Sequence, residues 1–247
     1  MRRSSSEVVT RLCTIALLSA LGFVLMAFLR IPYPPAPWLM IEFSDVVVLI
    51  AYAMYGLSGG LMVSIFKTLL DMAVHGLTGA YGIGNITAFV TSLCFVLALF
   101  MASHLLKLFK KGLPFRILGY LFITILVATL LTLLNALFIT PTYLTGTFTT
   151  CFDSQAVQSV INGFNGMGIE GNIYFLLIFI IYFPFNLLKG ACICAIYELI
   201  FNRLIFVLME RSPKMKKYFL GSIFKKKENI EDSGKNKEKD TDKKATK

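Results

Sequence analysis

Six long apolar runs, separated by shorter polar segments, set the pattern of the chain. A membrane-spanning helix needs about 20 mostly apolar residues, and most of the runs approach or exceed that length. We therefore predict an all-α integral membrane protein with six transmembrane helices. The predicted helices are Leu12–Leu29, Val46–Tyr55, Leu61–Val74, Asn85–Leu106, Ile117–Ile139 and Ile173–Leu208.

Several of the connecting segments contain residues that interrupt helices. Ile31–Ser44 holds four prolines, which lack an N–H and clash with the preceding helical turn, so we predict an extended or turning loop folded over the outer mouth of the bundle. Gly56–Gly60 is predicted to be a tight turn. Gly76–Gly84 is predicted to be a second turn, which would allow a ligand close to the backbone. Thr140–Asn172 is predicted to be an outer loop with a short helix.

Composition supports a membrane protein and divides the chain into two parts. With 56% hydrophobic residues and a mean hydropathy of +0.72, the chain is too apolar for an ordinary water-soluble domain. Its formal net charge is +10, but 13 of the 24 Lys and Arg residues follow Glu210. We interpret 1–210 as the membrane domain and 211–247 as a Lys-rich, disordered cytoplasmic tail. The positive charge thus indicates contact with anionic lipid, not a nucleic-acid partner.

The distribution of basic residues predicts the orientation in the cell membrane. Lys and Arg lie in the first residues, in the segment Lys107–Arg116 and in the tail, whereas the opposite loops hold only Arg30. Cytoplasmic loops carry an excess of Lys and Arg. An even number of crossings and this pattern both place the two termini in the cytoplasm.

Two polar residues interrupt the last apolar run. Asn186 and Lys189 are three residues apart and therefore share a helical face. Burying an ammonium in hydrocarbon costs about 2.5–3.5 kcal/mol on insertion scales, so such residues usually face a bundle interior or a wet cavity. Pro184 removes the helical donor to the carbonyl of Ile180, which predicts a kink. The alternative is structural: Asn186 bonds to a neighbouring helix and Lys189 extends to the water.

The sequence lacks the motifs of several enzyme classes. It contains no His-Glu-x-x-His and no phosphate-binding Gly-x-x-x-x-Gly-Lys-Ser/Thr, and its five cysteines are scattered, so we expect neither catalysis, nor a metal, nor a cofactor. Lys67 and Asp71, four residues apart, are predicted to pair across one helical turn. One alternative makes Lys67, Asp71 and Lys189 the polar centre of a small intramembrane enzyme; another makes the chain a purely structural membrane partner.

Four polar side chains are predicted to converge at the outer half of the bundle: Asn135, Asn186, Lys189 and Glu42. An amide offers both a donor and an acceptor, whereas a lysine offers only donors. This combination suits a planar heterocycle whose edge alternates carbonyl and ring N–H groups. Aromatic and aliphatic side chains would cover its faces.

Three stretches of the chain resemble a known family. They are Pro34-Pro35-Ala36-Pro37-Trp38-Leu39 followed by Phe43-Ser44-Asp45, then Leu134-Asn135, and Pro184-Phe185-Asn186-Leu187-Leu188-Lys189-Gly190. Together they are similar to the riboflavin-specific S component of energy-coupling-factor (ECF) vitamin transporters, over about residues 10–208. The resemblance implies a subunit that binds riboflavin outside the cell, while a coupling subunit and two ATP-binding subunits drive its uptake.

The resemblance also implies roles for particular residues. Asn135, Asn186 and Lys189 would bind the isoalloxazine ring, and Ala36–Glu42 would cap the site. The cap contributes Trp38, Leu39, Met40 and Glu42 to the predicted binding residues. Ala16 and Ala20 would form the surface that docks on the coupling subunit.

The sequence departs from the family pattern in two places. Met40 stands where a lysine is expected after Trp-Leu, and Ile83–Phe89 differs from the usual polar start of the fourth span. The residues that hold the ribityl chain therefore stay unassigned. Another flavin such as FMN, or another vitamin, is an alternative substrate.

Overall fold

Helices make up most of the protein in the computed structural model, which describes residues 5–106, 113–169 and 171–211, with the backbone alone for 7, 80, 113 and 201–211. The elements are α1 (Ser5–Phe28), β1 (Arg30–Tyr33), β2 (Ala36–Glu42), α2 (Ser44–Tyr55), α3 (Leu57–His75), α4 (Ile83–Phe100), α5 (Leu113–Leu134), α6 (Ser154–Gly166) and α7 (Tyr174–Arg211). A π-turn, Met101–Leu105, continues α4. A second π-turn, Asn135–Ile139, and the helical segment Thr140–Thr145 continue α5.

Five helices of the described residues are long and apolar enough to cross a membrane, with mean hydropathies from 1.4 to 2.5. The predicted number was six. The difference lies in α2, which has 12 residues and is about 18 Å long at 1.5 Å per residue. It is apolar but shorter than the hydrocarbon layer of about 30 Å. The multi-pass helical architecture is confirmed, whereas the sixth full crossing is not.

The proline-rich segment forms an antiparallel hairpin, so the all-α prediction is wrong at this point. β1 pairs with β2 in the register Arg30↔Glu42, Ile31↔Ile41 and Pro32↔Met40, with an irregularity after Pro32. A proline is tolerated at the edge of a sheet because the missing N–H then faces no partner strand. The hairpin lies directly between α1 and α2 in the sequence.

The predicted turn at Gly56–Gly60 is one residue long. Only Gly56, with φ +72°, leaves the helical conformation, and α3 begins at Leu57. Gly59 instead lets α3 pack closely on α2, because a Cβ at this position would lie 2.6 Å from the carbonyl oxygen of Ala51. The sequence signal was correct for a bend but overestimated its length.

Neither proline in the last two long helices stops its helix. The fifth span was predicted to end at Ile139, just before Pro141, yet the helix continues to Thr145. Pro141 has no N–H for the carbonyl of Leu137, and this oxygen accepts the N–H of Cys151 at 2.8 Å instead. Pro184 lies inside α7, which is continuous over 38 residues. At about 57 Å, α7 is much longer than a bilayer core and does not break.

Two clusters of buried apolar residues hold the bundle together. The larger one joins α2, α4, α5 and α7 through residues such as Val48, Phe95, Val127 and Ile193. The second joins β2, α6 and the first half of α7 through Ala36, Phe164 and Ile178. The hairpin is therefore packed on helices rather than free.

Some predictions concern residues outside the described part of the chain. These are the Lys-rich tail from residue 212 onward and the basic positions 107–111. Their cytoplasmic placement stays a prediction.

Candidate functional site

A cavity of about 270 Å³ lies between the hairpin and the helices α1, α3, α4, α5 and α7. Ligand pockets in proteins usually start at about 300 Å³ and combine apolar walls with a few polar groups. The structure brings all seven predicted binding residues together around this cavity. They are Trp38, Leu39, Met40, Glu42, Asn135, Asn186 and Lys189.

Asn186 presents an unused hydrogen-bond donor to the cavity. Its side chain is 4% exposed, and Nδ2 has no partner among the described residues. Leaving a buried donor unpaired costs about 1–3 kcal/mol, so native structures rarely keep one without a reason. A ligand acceptor in the cavity would satisfy this amide.

Asn135 begins the π-turn that continues α5. Its Nδ2 donates to the carbonyl of Leu131 at 2.8 Å, and its Oδ1 lies 3.5 Å from the hydroxyl of Thr140. Such π-turns occur often at functional sites because they displace one turn of the helix and redirect its side chains. The remaining amide hydrogen and the second lone pair of Oδ1 are available to a ligand.

The ammonium of Lys189 forms an ion pair with a buried carboxylate. Its Nζ lies 3.6 Å from Oδ2 of Asp45, whose Oδ1 accepts a hydrogen bond from Lys67 at 2.8 Å. Lys67 also donates to Ser44 at 2.7 Å. The predicted pair of Lys67 with Asp71 is therefore wrong. Both residues lie on α3, but the fold places the carboxylate of α2 nearer to the ammonium.

Asp71 belongs to a second polar network at the hairpin end of the cavity. Its Oδ1 accepts from Nδ1 of His75 at 2.9 Å and lies 3.5 Å from a guanidinium nitrogen of Arg30, and its Oδ2 accepts from Asn85 at 2.9 Å. Asn85 in turn accepts from the N–H and the hydroxyl of Thr78. This network ties the glycine-rich turn to α3 and α4.

The hairpin contributes one side of the cavity. Trp38 stacks on Phe164 of α6, with ring centroids 6.2 Å apart and an angle of 25°. Glu42 lies 3.8 Å from Arg30, its partner across the hairpin. Trp38 is thus packed between the cavity and α6.

Sequence reasoning missed several residues that line the cavity. Thr87 and Thr91 lie one turn apart on α4, and their shared face was visible as an i, i+4 pair of polar residues in an apolar run. Thr140, Tyr143 and Tyr182 carried no comparable signal, because their position depends on the π-turn and on helix packing. The missed lining residues that bear polar groups are Arg30, Thr78, Thr87, Thr91, Thr140, Tyr143 and Tyr182.

Ala16 and Ala20 do not line the cavity; they lie on the exposed face of α1. Leu17 and Leu21 beside them are also exposed. The structure shows that nothing in the described part of the chain covers this face, as the docking prediction requires.

The fold and the cavity define a multi-pass membrane protein with a buried polar site beneath a hairpin. Residues 10–201 match the family model described as "ECF transporter, substrate-specific component". Since this match spans most of the chain, the protein belongs to that family of transporter components.

Similar proteins and a similar solved structure agree with the family. The riboflavin transporter FmnP of Bacillus subtilis (strain 168) is 28% identical over 197 residues, covering 79% of this chain and 92% of the relative. The riboflavin transporter RibU of Staphylococcus aureus (strain TCH60) is 29% identical over 195 residues, covering 78% and 89%. A solved structure of the S component of a bacterial ECF transporter superposes with a TM-score of 0.56 at 28% identity, covering 81% of this chain and 97% of that one.

Proposed function

We propose that this chain captures riboflavin in the cavity and delivers it for uptake across the cell membrane. The observation that carries the proposal is the unpaired Nδ2 of Asn186 beside the ammonium of Lys189 on one wall of the cavity. Two donors that line one cavity suit the carbonyl groups of a planar ring system. Two similar proteins are riboflavin transporters, which selects the flavin among such rings.

In this proposal each predicted residue has a distinct role. Asn186 and Lys189 donate to ring carbonyls. The side-chain oxygen of Asn135 accepts from a ring N–H, and its side-chain nitrogen donates to the acceptor next to that N–H. Trp38, Leu39 and Met40 of β2 cover the ligand from the hairpin side. Glu42 lies at the end of β2, where its carboxylate accepts a hydrogen bond from the ligand.

The transport step requires partners. We propose that the exposed face of α1 with Ala16 and Ala20 docks on a transmembrane coupling subunit, since small residues allow close helix approach. Two ATP-binding subunits then supply the energy, because the sequence contains no phosphate-binding loop of its own. Both termini lie in the cytoplasm in this arrangement, and the hairpin faces outward.

Purification of the full chain in detergent tests the proposal directly. We expect a yellow protein when cells are grown with riboflavin, and quenching of Trp38 fluorescence when the apoprotein is titrated with the vitamin. Asn186→Ala and Lys189→Ala each remove one hydrogen-bonding group, so each is expected to weaken binding at least about tenfold. Asn162→Ala is the matched control, because Asn162 is exposed on α6 and does not line the cavity.

Two results would contradict the proposal. One is a colourless protein with neither fluorescence change nor heat of mixing at saturating riboflavin. The other is equal affinity in Asn186→Ala, Lys189→Ala and the control, which would favour a structural role for both residues.

A further inference from the structure

The segment that joins the continuation of α5 to α6 exposes two phenylalanines. We call residues 146–152 the phenylalanine loop. Phe148 is 74% exposed and Phe152 is 86% exposed, the highest value of any large apolar side chain in the described part of the chain. No Asp, Glu, Lys or Arg occurs between Arg116 and Asp153, so the loop carries no charged side chain. An exposed apolar surface of this kind marks a contact with protein or membrane.

A backbone hydrogen bond places the loop at a definite level of α5. The N–H of Cys151 donates to the carbonyl of Leu137 at 2.8 Å. Leu137 lies eight residues before Thr145, where this helix ends, and therefore about 12 Å from that end. The loop thus folds back along the helix, and the backbone of Phe152, which follows Cys151, lies beside the helix and not beyond it.

That level falls at the edge of the hydrocarbon layer. The candidate span Pro114–Thr145 has 32 residues and is about 48 Å long, whereas the layer is about 30 Å thick. A centred span therefore extends about 9 Å beyond the layer at each end. Leu137, about 12 Å from the end of the helix, lies just inside the edge.

The start of α7 lies close to the same level. The hydroxyl of Tyr174, the first residue of α7, donates to the carbonyl of Ala136. Next to these two residues, Leu137 is 40% exposed and Phe175 is 60% exposed. Both belong to candidate membrane spans, so both helices present apolar side chains to the bilayer at the level of Phe152.

The backbone of the loop is paired within the chain. Threonine hydroxyl groups accept from the N–H groups of Thr147, Thr149 and Phe152, and carbonyl groups accept from those of Gly146 and Cys151. A backbone group without a partner is costly in contact with lipid, because no water is present to bond to it. This internal pairing therefore permits the loop to contact lipid.

A polar surface begins directly after Phe152. Asp153, the N-cap of α6, is exposed, and the exposed positions that follow on α6 include Gln155, Gln158 and Asn162. Amphipathic segments at a membrane surface direct aromatic side chains towards the acyl chains and polar side chains towards water. The change from Phe152 to Asp153 therefore marks the boundary between lipid and water.

We propose that the phenylalanine loop is a membrane anchor. Phe148 and Phe152 insert into the leaflet on the hairpin side, at the boundary between headgroups and acyl chains. The anchor fixes the depth at which α6 begins. This role goes beyond ligand capture and does not depend on it.

Tryptophan fluorescence of the full chain in phosphatidylcholine vesicles, measured without flavin, tests this proposal. In a Trp38→Phe background, Phe148→Trp and Phe152→Trp each place a single tryptophan in the loop. Leu133→Trp, at an exposed position of α5, is the control for lipid contact, and Asn162→Trp, at an exposed polar position of α6, is the control for water. Vesicles whose acyl chains carry bromine, either near the headgroup or near the chain end, quench a tryptophan that contacts them.

Both loop variants should emit at shorter wavelength than Asn162→Trp. Bromine near the headgroup should cause at least about twice the fractional loss of emission that it causes in Asn162→Trp, because the loop lies at the lipid interface. Bromine near the chain end should quench the loop variants less than bromine near the headgroup. Both substitutions replace exposed side chains, so either variant alone carries the test.

Three results would overturn the proposal. Emission like that of Asn162→Trp, without bromine quenching, would place the loop in water. Short-wavelength emission that bromine does not quench would mean that protein, such as a second copy of the chain, covers the phenylalanines. Stronger quenching by bromine near the chain end would exclude the interfacial position. Since no flavin is present, each of these results leaves the proposed function standing.

Discussion

Lys67 of α3 and Asp45 of α2 form an ion pair in the interior of the bundle. Nζ lies 2.8 Å from Oδ1, and the two side chains are 1% and 2% exposed. The ammonium also donates to Ser44, and the carboxylate accepts from Ser92 of α4. The pair therefore connects three helices and supports Lys189 at the cavity wall.

Removing the carboxylate should cost more than removing either lysine. Asp45→Asn leaves two buried ammonium groups, Lys67 and Lys189, without a counter-charge, and breaking a buried pair typically costs about 3–5 kcal/mol. Lys67→Met leaves Asp45 with Lys189 and Ser92, so its loss should be smaller. Thermal unfolding of the purified variants in one detergent checks the order. A lower melting temperature for Lys67→Met than for Asp45→Asn would contradict this account.

Gly59 and Gly166 should respond oppositely to alanine. At Gly59 a Cβ would lie 2.6 Å from both the Ala51 carbonyl oxygen and Cβ of Tyr55, so Gly59→Ala must separate α3 from α2 and should lose about 1–3 kcal/mol. At Gly166, the last residue of α6, a Cβ meets nothing within 4 Å. Gly166→Ala should gain up to about 1 kcal/mol by restricting the unfolded chain. Equal melting temperatures for both variants would count against the close packing.

Asp153 caps the N-terminus of α6. Its Oδ1 accepts the backbone N–H of Gln155 at 2.9 Å and that of Ala156 at 3.5 Å. Asp153→Ala should destabilise α6 by about 0.5–2 kcal/mol, seen as faster amide hydrogen exchange in 154–166. Asp153→Ser keeps a cap and serves as the control. Equal amide exchange rates in the two variants would show that the Asp153 cap does not stabilise α6.

Trp38 should report the packing of the hairpin. Because it is the single tryptophan and stacks on Phe164, its emission comes from one environment. Phe164→Ala removes the stacking partner from a buried cluster and should shift the emission to longer wavelength, while Phe152→Ala, at an exposed position, should not. Identical spectra in both variants would show that α6 does not support the hairpin.

The apolar helices were predictable because their signal is local. Length and hydropathy identify a span without reference to its neighbours, and all six runs form helices. The largest difference in bounds is at α1, which begins at Ser5 and not at Leu12. The hairpin was not predicted, since prolines exclude a helix but do not reveal that Arg30 pairs with Glu42. The partner of Lys67 was also missed. It lies 22 residues away in the sequence, and only helix packing decides between it and Asp71.

The cavity residues were predictable to different degrees. Asn186 and Lys189 could be found because polar groups in an apolar run are costly. Glu42, Trp38, Leu39 and Met40 followed from the resemblance of the proline-rich segment. Thr140 could not be found, because the π-turn after α5 changes which side chains face inward and no residue pattern predicts it. Tyr182 could not be found because its position depends on how α7 packs in the bundle.

The shortness of α2 has a consequence for the surroundings of a bound ligand. A helix about 18 Å long that meets one membrane surface at Gly56 begins about 12 Å short of the other. Ser44 and Asp45, in its first turn, then lie below that membrane surface. The hairpin occupies the space above them instead of lipid. Because Lys189 lines the cavity beneath the hairpin, a ligand bound beside its ammonium contacts protein side chains at this depth.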